Sequence, residues 1–139
     1  MKISILVVED EHAIQELIAI NLSLSGYKVI RANDAEIALS ILRETLPDML
    51  LVDWMLPGQS GIQLIRVLRS HPHTKALPIM MLTVRSERQD KLLALESGAD
   101  DYMTKPFSPR EMIARVQAVL FKTAAKSATD TFPDSRAQQ

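Results

Sequence analysis

The chain has 139 residues, 47% of them hydrophobic and 24% charged, and a formal net charge of -1. This is the composition of one globular domain with a sizeable core, and it leaves no global electrostatic footprint for nucleic acid or an anionic membrane. Cysteine is absent, which excludes disulfides, zinc–thiolate centres and thiol catalysis in this chain.

In chain order, the first element is ISILVV (3–8), an apolar run that acids interrupt at once in VVEDE (7–11). It is too short for a signal peptide or a membrane span, and with no cysteine it fits a soluble cytoplasmic protein. Continuous rather than alternating hydrophobicity is what a parallel sheet covered on both faces requires of its strands. Ile14, Leu17, Ile18 and Leu22 then form a helical stripe, closed by Gly26 where a left-handed cap belongs. KVIRA (28–32) predicts a second strand, and Ile37, Ala38, Ile41 and Leu42 a second helix. Pro47 precedes the third strand, MLLV (49–52). Ser60 and Gln63 have capping-box spacing ahead of the stripe Leu64, Ile65 and Leu68.

Pro78 precedes the fourth strand, IMML (79–82). Ser86 and Gln89 again have capping-box spacing, but the helix they predict over 87–97 is weakly patterned. Its Leu92, Leu93 and Leu95 are surrounded by charges, and Gly98 closes it. DYMT (101–104) is the fifth strand. Ser108, Pro109 and Glu111 mark the start of a last helix carrying Met112, Ile113, Val116, Val119 and Leu120. The remainder, 122–139, has no sustained apolar period and is rich in Ala, Ser and Thr. It is expected to be a flexible linker or tail after a domain spanning 1–121, and no DNA-binding domain follows that boundary.

Five β–α units with right-handed crossovers give an α/β fold, an open parallel sheet with helices on both faces. Such a sheet collects its strand C-termini on one edge. Strand one ends in Glu9 and Asp10, strand three in Asp53, strand four in Thr83 and strand five in Lys105. Alone, each has an ordinary explanation: a cap, a turn former, a β-branched strand residue or a surface lysine. Together they are three carboxylates, a hydroxyl and an ammonium at one place. Clustered carboxylates repel, and a hard divalent cation such as Mg²⁺ relieves that while also taking a phosphate oxygen. Lys105 offers a charge and Thr83 a hydroxyl to a phosphoryl group, and Asp53 is a carboxylate able to attack phosphorus. The residues therefore point to a phosphate and Mg²⁺ site.

VVEDE, LLVDWMLPGQSG (50–61), MLTVRSE (81–87) and DDYMTKPFSPREM (100–112) resemble the four signature segments of bacterial response-regulator receiver domains, over residues 3–121. Trp54, the GADDYMTKPFSP stretch and the loop lengths are most similar to the OmpR/PhoB subfamily, including its phosphate-regulon members. The resemblance implies a CheY-like, flavodoxin-like sheet of order 2-1-3-4-5 with five helices. It implies that Asp53 accepts a phosphoryl group from a sensor histidine kinase, with Thr83 and Lys105 binding the phosphoryl oxygens. Asp10, Asp53 and the Met55 backbone carbonyl are implied Mg²⁺ ligands, assisted through water by Glu9. Tyr102 matches an aromatic switch coupled to Thr83, and the Lys105–Pro106 bond is implied to be cis.

The subfamily's readout is a homodimer through helix four, strand five and helix five, and a transcriptional output through an effector domain, here implying a phosphate-starvation response. Lys91 is expected to pair with Glu111 across that interface and Asp101 with Arg115, around Leu92, Leu95 and Ala114. Two features depart from the pattern. Val84 follows Thr83 where a small residue is usual, which should narrow access to Asp53. The missing effector domain leaves DNA contact to a part not in this chain, so a truncated receiver and a stand-alone receiver acting through a protein partner both remain open. A phosphatase of the haloacid-dehalogenase type is a rival, but its second acid would fall at Met55. A nucleotide-binding domain would need a glycine-rich loop where VVEDEHA stands. His12, His71 and His73 read as surface residues, and Trp54 either gates the site or covers the sheet edge.

Overall fold

Each apolar run becomes a strand and each periodic segment a helix in the computed structural model, which describes residues 2–131. The order is β1 (Ser4–Val8), α1 (His12–Leu24), β2 (Lys28–Ala32), α2 (Ala35–Glu44), β3 (Met49–Asp53), α3 (Gly61–Ser70), β4 (Ile79–Thr83), α4 (Arg88–Ser97), β5 (Asp101–Thr104) and α5 (Pro109–Thr131). The sheet runs β2-β1-β3-β4-β5, parallel throughout, with Leu6 opposite Leu50 and Asp53 opposite Leu82.

The central strands β3 and β4 are buried along their whole length, which is why their sequences do not alternate. Successive side chains still leave by opposite faces. Leu6, Leu50, Val52, Ile79 and Met81 pack under Ala38, Leu42, Leu64, Ile65 and Ala94, from α2, α3 and α4. Ile5, Val7, Leu51, Met80 and Leu82 pack under Ile18, Leu22, Met112 and Val116, from α1 and α5. Each large aliphatic side chain buried in this way contributes about 1.5–3 kcal/mol relative to exposure. Two complete cores hold the sheet edge rigid beneath the strand ends.

Several local expectations are corrected. Leu17 and Ile37 are solvent-exposed, because the buried arc of α1 runs through Gln15, Ile18, Ala19 and Leu22 and that of α2 through Ala35, Ala38 and Leu42. The capping box of Ser60 and Gln63 forms in full. That of Ser86 and Gln89 does not: α4 starts one residue later, Glu87 is its N-cap, and no side chain caps it. Ser108 accepts the Glu111 N–H at 3.0 Å, but the Glu111 carboxylate goes to Arg115 instead of back to the cap. The boundary expected at residue 121 is overrun, since α5 continues to Thr131. KTAAKSA is rich in strong helix formers and carries no glycine or proline before Pro133. The rest of the expected tail, 132–139, lies outside the described residues.

Among the described residues no helix is long and apolar enough to cross a membrane.

Candidate functional site

Acids and a lysine meet at the C-terminal edge of the sheet because five parallel strands end there. Carboxylate oxygens of Glu9, Asp10 and Asp53 all lie within 4.8 Å of one another. Asp53 is 4% exposed and Glu9 1%, so both are charges largely removed from water, while Asp10 is exposed. Burial of that kind is tolerated only with partners. Lys105 supplies them, its Nζ donating to Glu9 Oε1 at 2.7 Å and to Asp53 Oδ2 at 3.0 Å. The second oxygens are held by backbone: Glu11 N–H donates to Glu9 Oε2 at 3.1 Å and Met55 N–H to Asp53 Oδ1 at 3.1 Å. The Asp10 carboxylate accepts no hydrogen bond among the described residues.

These contacts shift protonation. Burial pushes the Glu9 carboxyl up to about 7, with Lys105 opposing and Asp53 reinforcing. Burial alone would lower the Lys105 ammonium, but its hydrogen bonds to Glu9 and Asp53 outweigh that and hold it above the ordinary lysine value.

The acids open onto a cleft of about 220 Å³ lined by Asp10, Glu11, Asp53, Met55, Val84 and Lys105. Val84 is 64% exposed, so the branched side chain noted in the sequence stands at the cleft wall. Donor chemistry suits a hard cation: carboxylate oxygens within reach of one another, with no sulfur or imidazole among them.

Thr83 ends β4 as expected but is fully buried, and its Oγ1 accepts the Arg85 N–H at 3.2 Å. It is therefore engaged in the turn after β4 and does not line the cleft. Tyr102 is also buried, and its hydroxyl donates to the Arg85 carbonyl. Burial raises the Tyr102 phenol above its usual value. Trp54 is 7% exposed and belongs to the core under α2 and α3, so it covers the sheet edge. The Lys105–Pro106 bond is cis.

Gly61 explains how α3 can begin so close to Asp53. A Cβ there would lie 2.3 Å from the Asp53 carbonyl oxygen and 2.9 Å from Trp54 Cα, and its N–H donates to the Trp54 carbonyl at 2.9 Å. Gly58 takes φ +74° in the preceding turn.

Sequence reasoning missed three residues here. Glu11 adds a fourth acid, 3.8 Å from Lys105 Nζ, and stood in plain view within VVEDE. Arg85 links Thr83, Tyr102 and Trp54, and nothing in its spacing announced that. Gln15 is buried on α1, where an amide three residues before Ile18 and seven before Leu22 was the available signal. Of the residues expected at a dimer face, Lys91, Leu92 and Leu95 on α4 and Ala114 on α5 are exposed. Arg115 is paired within the chain, to Asp101 at 3.1 Å and Glu111 at 3.2 Å. Lys91 forms no ion pair among the described residues.

Comparison with known proteins identifies the family and the fold. The family described as response regulator receiver domain matches residues 5–117. The phosphate regulon transcriptional regulatory protein PhoB of Escherichia coli K12 is 49% identical over 116 residues, covering 84% of this chain and 51% of that protein. The chain thus spans about half the length of the curated relatives it matches. A crystal structure of a putative response regulator from Chloroflexus aurantiacus is 40% identical, covers 86% of this chain and 98% of its own, and superposes with a TM-score of 0.83. The receiver domain of a sensor histidine kinase from Pseudomonas aeruginosa PAO1, solved with magnesium in its active-site cleft, is 29% identical over 86% of this chain and 98% of its own, with a TM-score of 0.79. The 2-1-3-4-5 parallel sheet and the family match over residues 5–117 agree, and the chain belongs to the response regulator receiver domain family.

Proposed function

We propose that this chain is a phosphoacceptor switch in which Asp53 receives a phosphoryl group from a phosphohistidine of a sensor kinase. The observation that carries the reading is the Asp53 carboxylate, buried yet open to the cleft and bridged to Lys105 at 3.0 Å. A carboxylate oxygen of Asp53 attacks phosphorus, the P–N bond breaks, and the imidazole leaves with its electron pair and takes up a proton. Lys105, held cationic by its two carboxylate partners, neutralises charge on the incoming phosphoryl oxygens.

Asp10, Asp53 and the Met55 carbonyl would hold Mg²⁺, with Glu9 behind them. When bound, the ion supplies electrostatic stabilisation to the transferring group. Glu9 is suited to a supporting place because both its oxygens are already taken, by Lys105 and by Glu11 N–H. Asp10, exposed and unengaged, is suited to direct ligation. Thr83 would donate its O–H to a phosphoryl oxygen, turning its hydroxyl from the Arg85 N–H that it accepts, and the turn carrying Arg85 and Tyr102 would follow.

The output is a homodimer through Lys91, Leu92, Leu95, Asp101, Glu111, Ala114 and Arg115. Forming it across the interface requires Arg115 to share or exchange its present partners. In the full-length protein the switch controls transcription, in line with relatives named as phosphate regulon regulators. The chain acts in the cytoplasm and contacts DNA only through an effector domain. It is not a turnover enzyme beyond taking phosphoryl groups from small donors and losing them to water. Met55, exposed and without an acid function, stands where a dehalogenase-type phosphatase would need its general acid.

Incubation with acetyl phosphate and Mg²⁺, followed by intact mass and sedimentation, tests this. One added phosphoryl group with dimer formation, both lost in Asp53→Ala, is the expected result. Turnover of phosphate esters without a trapped adduct would overturn it in favour of the enzyme.

A further inference from the structure

Gln15 is a buried amide on the inner face of α1, 3% exposed, in a position where periodicity calls for an aliphatic side chain. Its Nε2 lies 2.8 Å from the Glu9 carbonyl oxygen, 3.2 Å from the Ala32 carbonyl oxygen and 3.0 Å from Asn33 Oδ1. An amide nitrogen has two hydrogens, so three acceptors share two donors and the group is held from every side. The Ala32 carbonyl also accepts the Glu9 N–H at 3.1 Å. Both backbone polar groups of Glu9 are thereby fixed, the N–H by β2 and the carbonyl by α1.

The Glu9 carbonyl belongs to the peptide unit that leads into Asp10. Fixing that oxygen fixes the plane of the peptide, and with it the direction in which Asp10 leaves the chain. Nothing else does so from the side-chain end, because the Asp10 carboxylate accepts no hydrogen bond among the described residues and is exposed. We propose that Gln15 is a positioning residue for the metal-binding acids, which sets Mg²⁺ affinity by orienting the Glu9–Asp10 peptide. The proposal rests on the reading of Asp10 and Asp53 as Mg²⁺ ligands. Groups that stand behind metal ligands and orient them change metal affinity about 10–100-fold when removed. Gln15 acts on the backbone of the ligand and not on its side chain, so the lower end of that range is expected.

Gln15→Met keeps the volume and removes both donors. Mg²⁺ is titrated into wild type and variant, following the emission of Trp54, the one tryptophan of the chain, which sits next to Asp53. Thermal melts without metal are recorded in parallel. The expected result is about a tenfold rise in the Mg²⁺ Kd of folded Gln15→Met. Its phosphorylation by acetyl phosphate should fall at low Mg²⁺ and recover as Mg²⁺ is raised. A lower melting temperature with an unchanged Kd would make Gln15 a purely structural residue and overturn the proposal. If Gln15→Met does not fold, Gln15→Leu, which also removes both donors and puts an aliphatic side chain on the buried stripe, decides the matter. A Kd raised by about tenfold then supports the proposal, and an unchanged one overturns it. Absence of saturable Mg²⁺ binding by the wild type would overturn the ligand assignment itself, and the proposal with it.

Discussion

The guanidinium carbon of Arg85 stands 4.4 Å from the centroid of the Trp54 ring, while the same guanidinium reaches Asp90 at 3.0 Å. Trp54 follows the proposed acceptor Asp53, and Asp90 is in the first turn of α4. Arg85 also engages Thr83 through its N–H and Tyr102 through its carbonyl. One residue of the β4–α4 turn thus joins β3, β4, β5 and α4. Removing the side chain should leave the backbone contacts in place and uncover the indole. Arg85→Ala is expected to shift Trp54 emission to the red, increase its quenching by acrylamide, and cost about 1 kcal/mol of stability, the size of a cation–π contact at a partly exposed site. Unchanged emission and quenching would mean that the contact does not persist in solution.

Val84 makes a separate prediction about rate. It is 64% exposed and lines the cleft that holds Asp53, where its added bulk should narrow the approach of a small donor or an attacking water. Val84→Ala should accelerate phosphorylation by acetyl phosphate, hydrolysis of the product, or both, by several-fold, with no effect on folding. Equal rates in both directions would contradict a gating role.

Glu9 gives a pH dependence whose sign is fixed. Its carboxyl is raised from 4.5 to about 7 on folding, so the folded state binds the proton more tightly. The associated stability is complete below pH 4.5 and is lost as pH rises to about 7, on the order of 3 kcal/mol in total. Lys105 does not interfere in this window, because its raised value matters only as pH climbs past its ordinary 10.5. Denaturant melts in EDTA between pH 5 and 8 should show stability falling with pH, and Glu9→Gln should flatten that slope. A slope of opposite sign would contradict the desolvation argument.

Gly61 and Gly58 separate close approach from backbone conformation. A Cβ on Gly61 meets backbone atoms of Asp53 and Trp54, so Gly61→Ala should cost at least about 1–3 kcal/mol and weaken Mg²⁺ binding by displacing Asp53. Gly58 has nothing within 4 Å of its Cβ position but a φ of +74°. Gly58→Ala should therefore cost only about 1 kcal/mol and leave the metal site as it was. Thermal melts with Mg²⁺ titrations distinguish the two.

The sheet was legible because its central strands are covered twice and must be apolar at every position, as in IMML. The charged edge was legible because parallel topology alone brings Glu9, Asp10, Asp53 and Lys105 together. What escaped is what topology does not determine. Thr83 was correctly placed at a strand end, yet its hydroxyl is taken by Arg85 N–H, a contact of turn geometry. Trp54 could not be assigned a role without Arg85, which is distant in sequence. Gln15 is not legible because a polar side chain on a buried stripe carries no apolar period, and its burial depends on carbonyl acceptors from other elements. α4 starts later than Ser86 and Gln89 predict because that capping pair is unused, and α5 runs past residue 121 because KTAAKSA has high helix propensity.

The claim on which the rest depends is that Asp53 carries the phosphoryl group. Treating the acetyl phosphate product with borohydride reduces an aspartyl phosphate to homoserine, and peptide mass spectrometry then locates it. Homoserine at residue 53 is the result expected here. Label at Asp10, or at no aspartate of the cleft, would contradict the assignment.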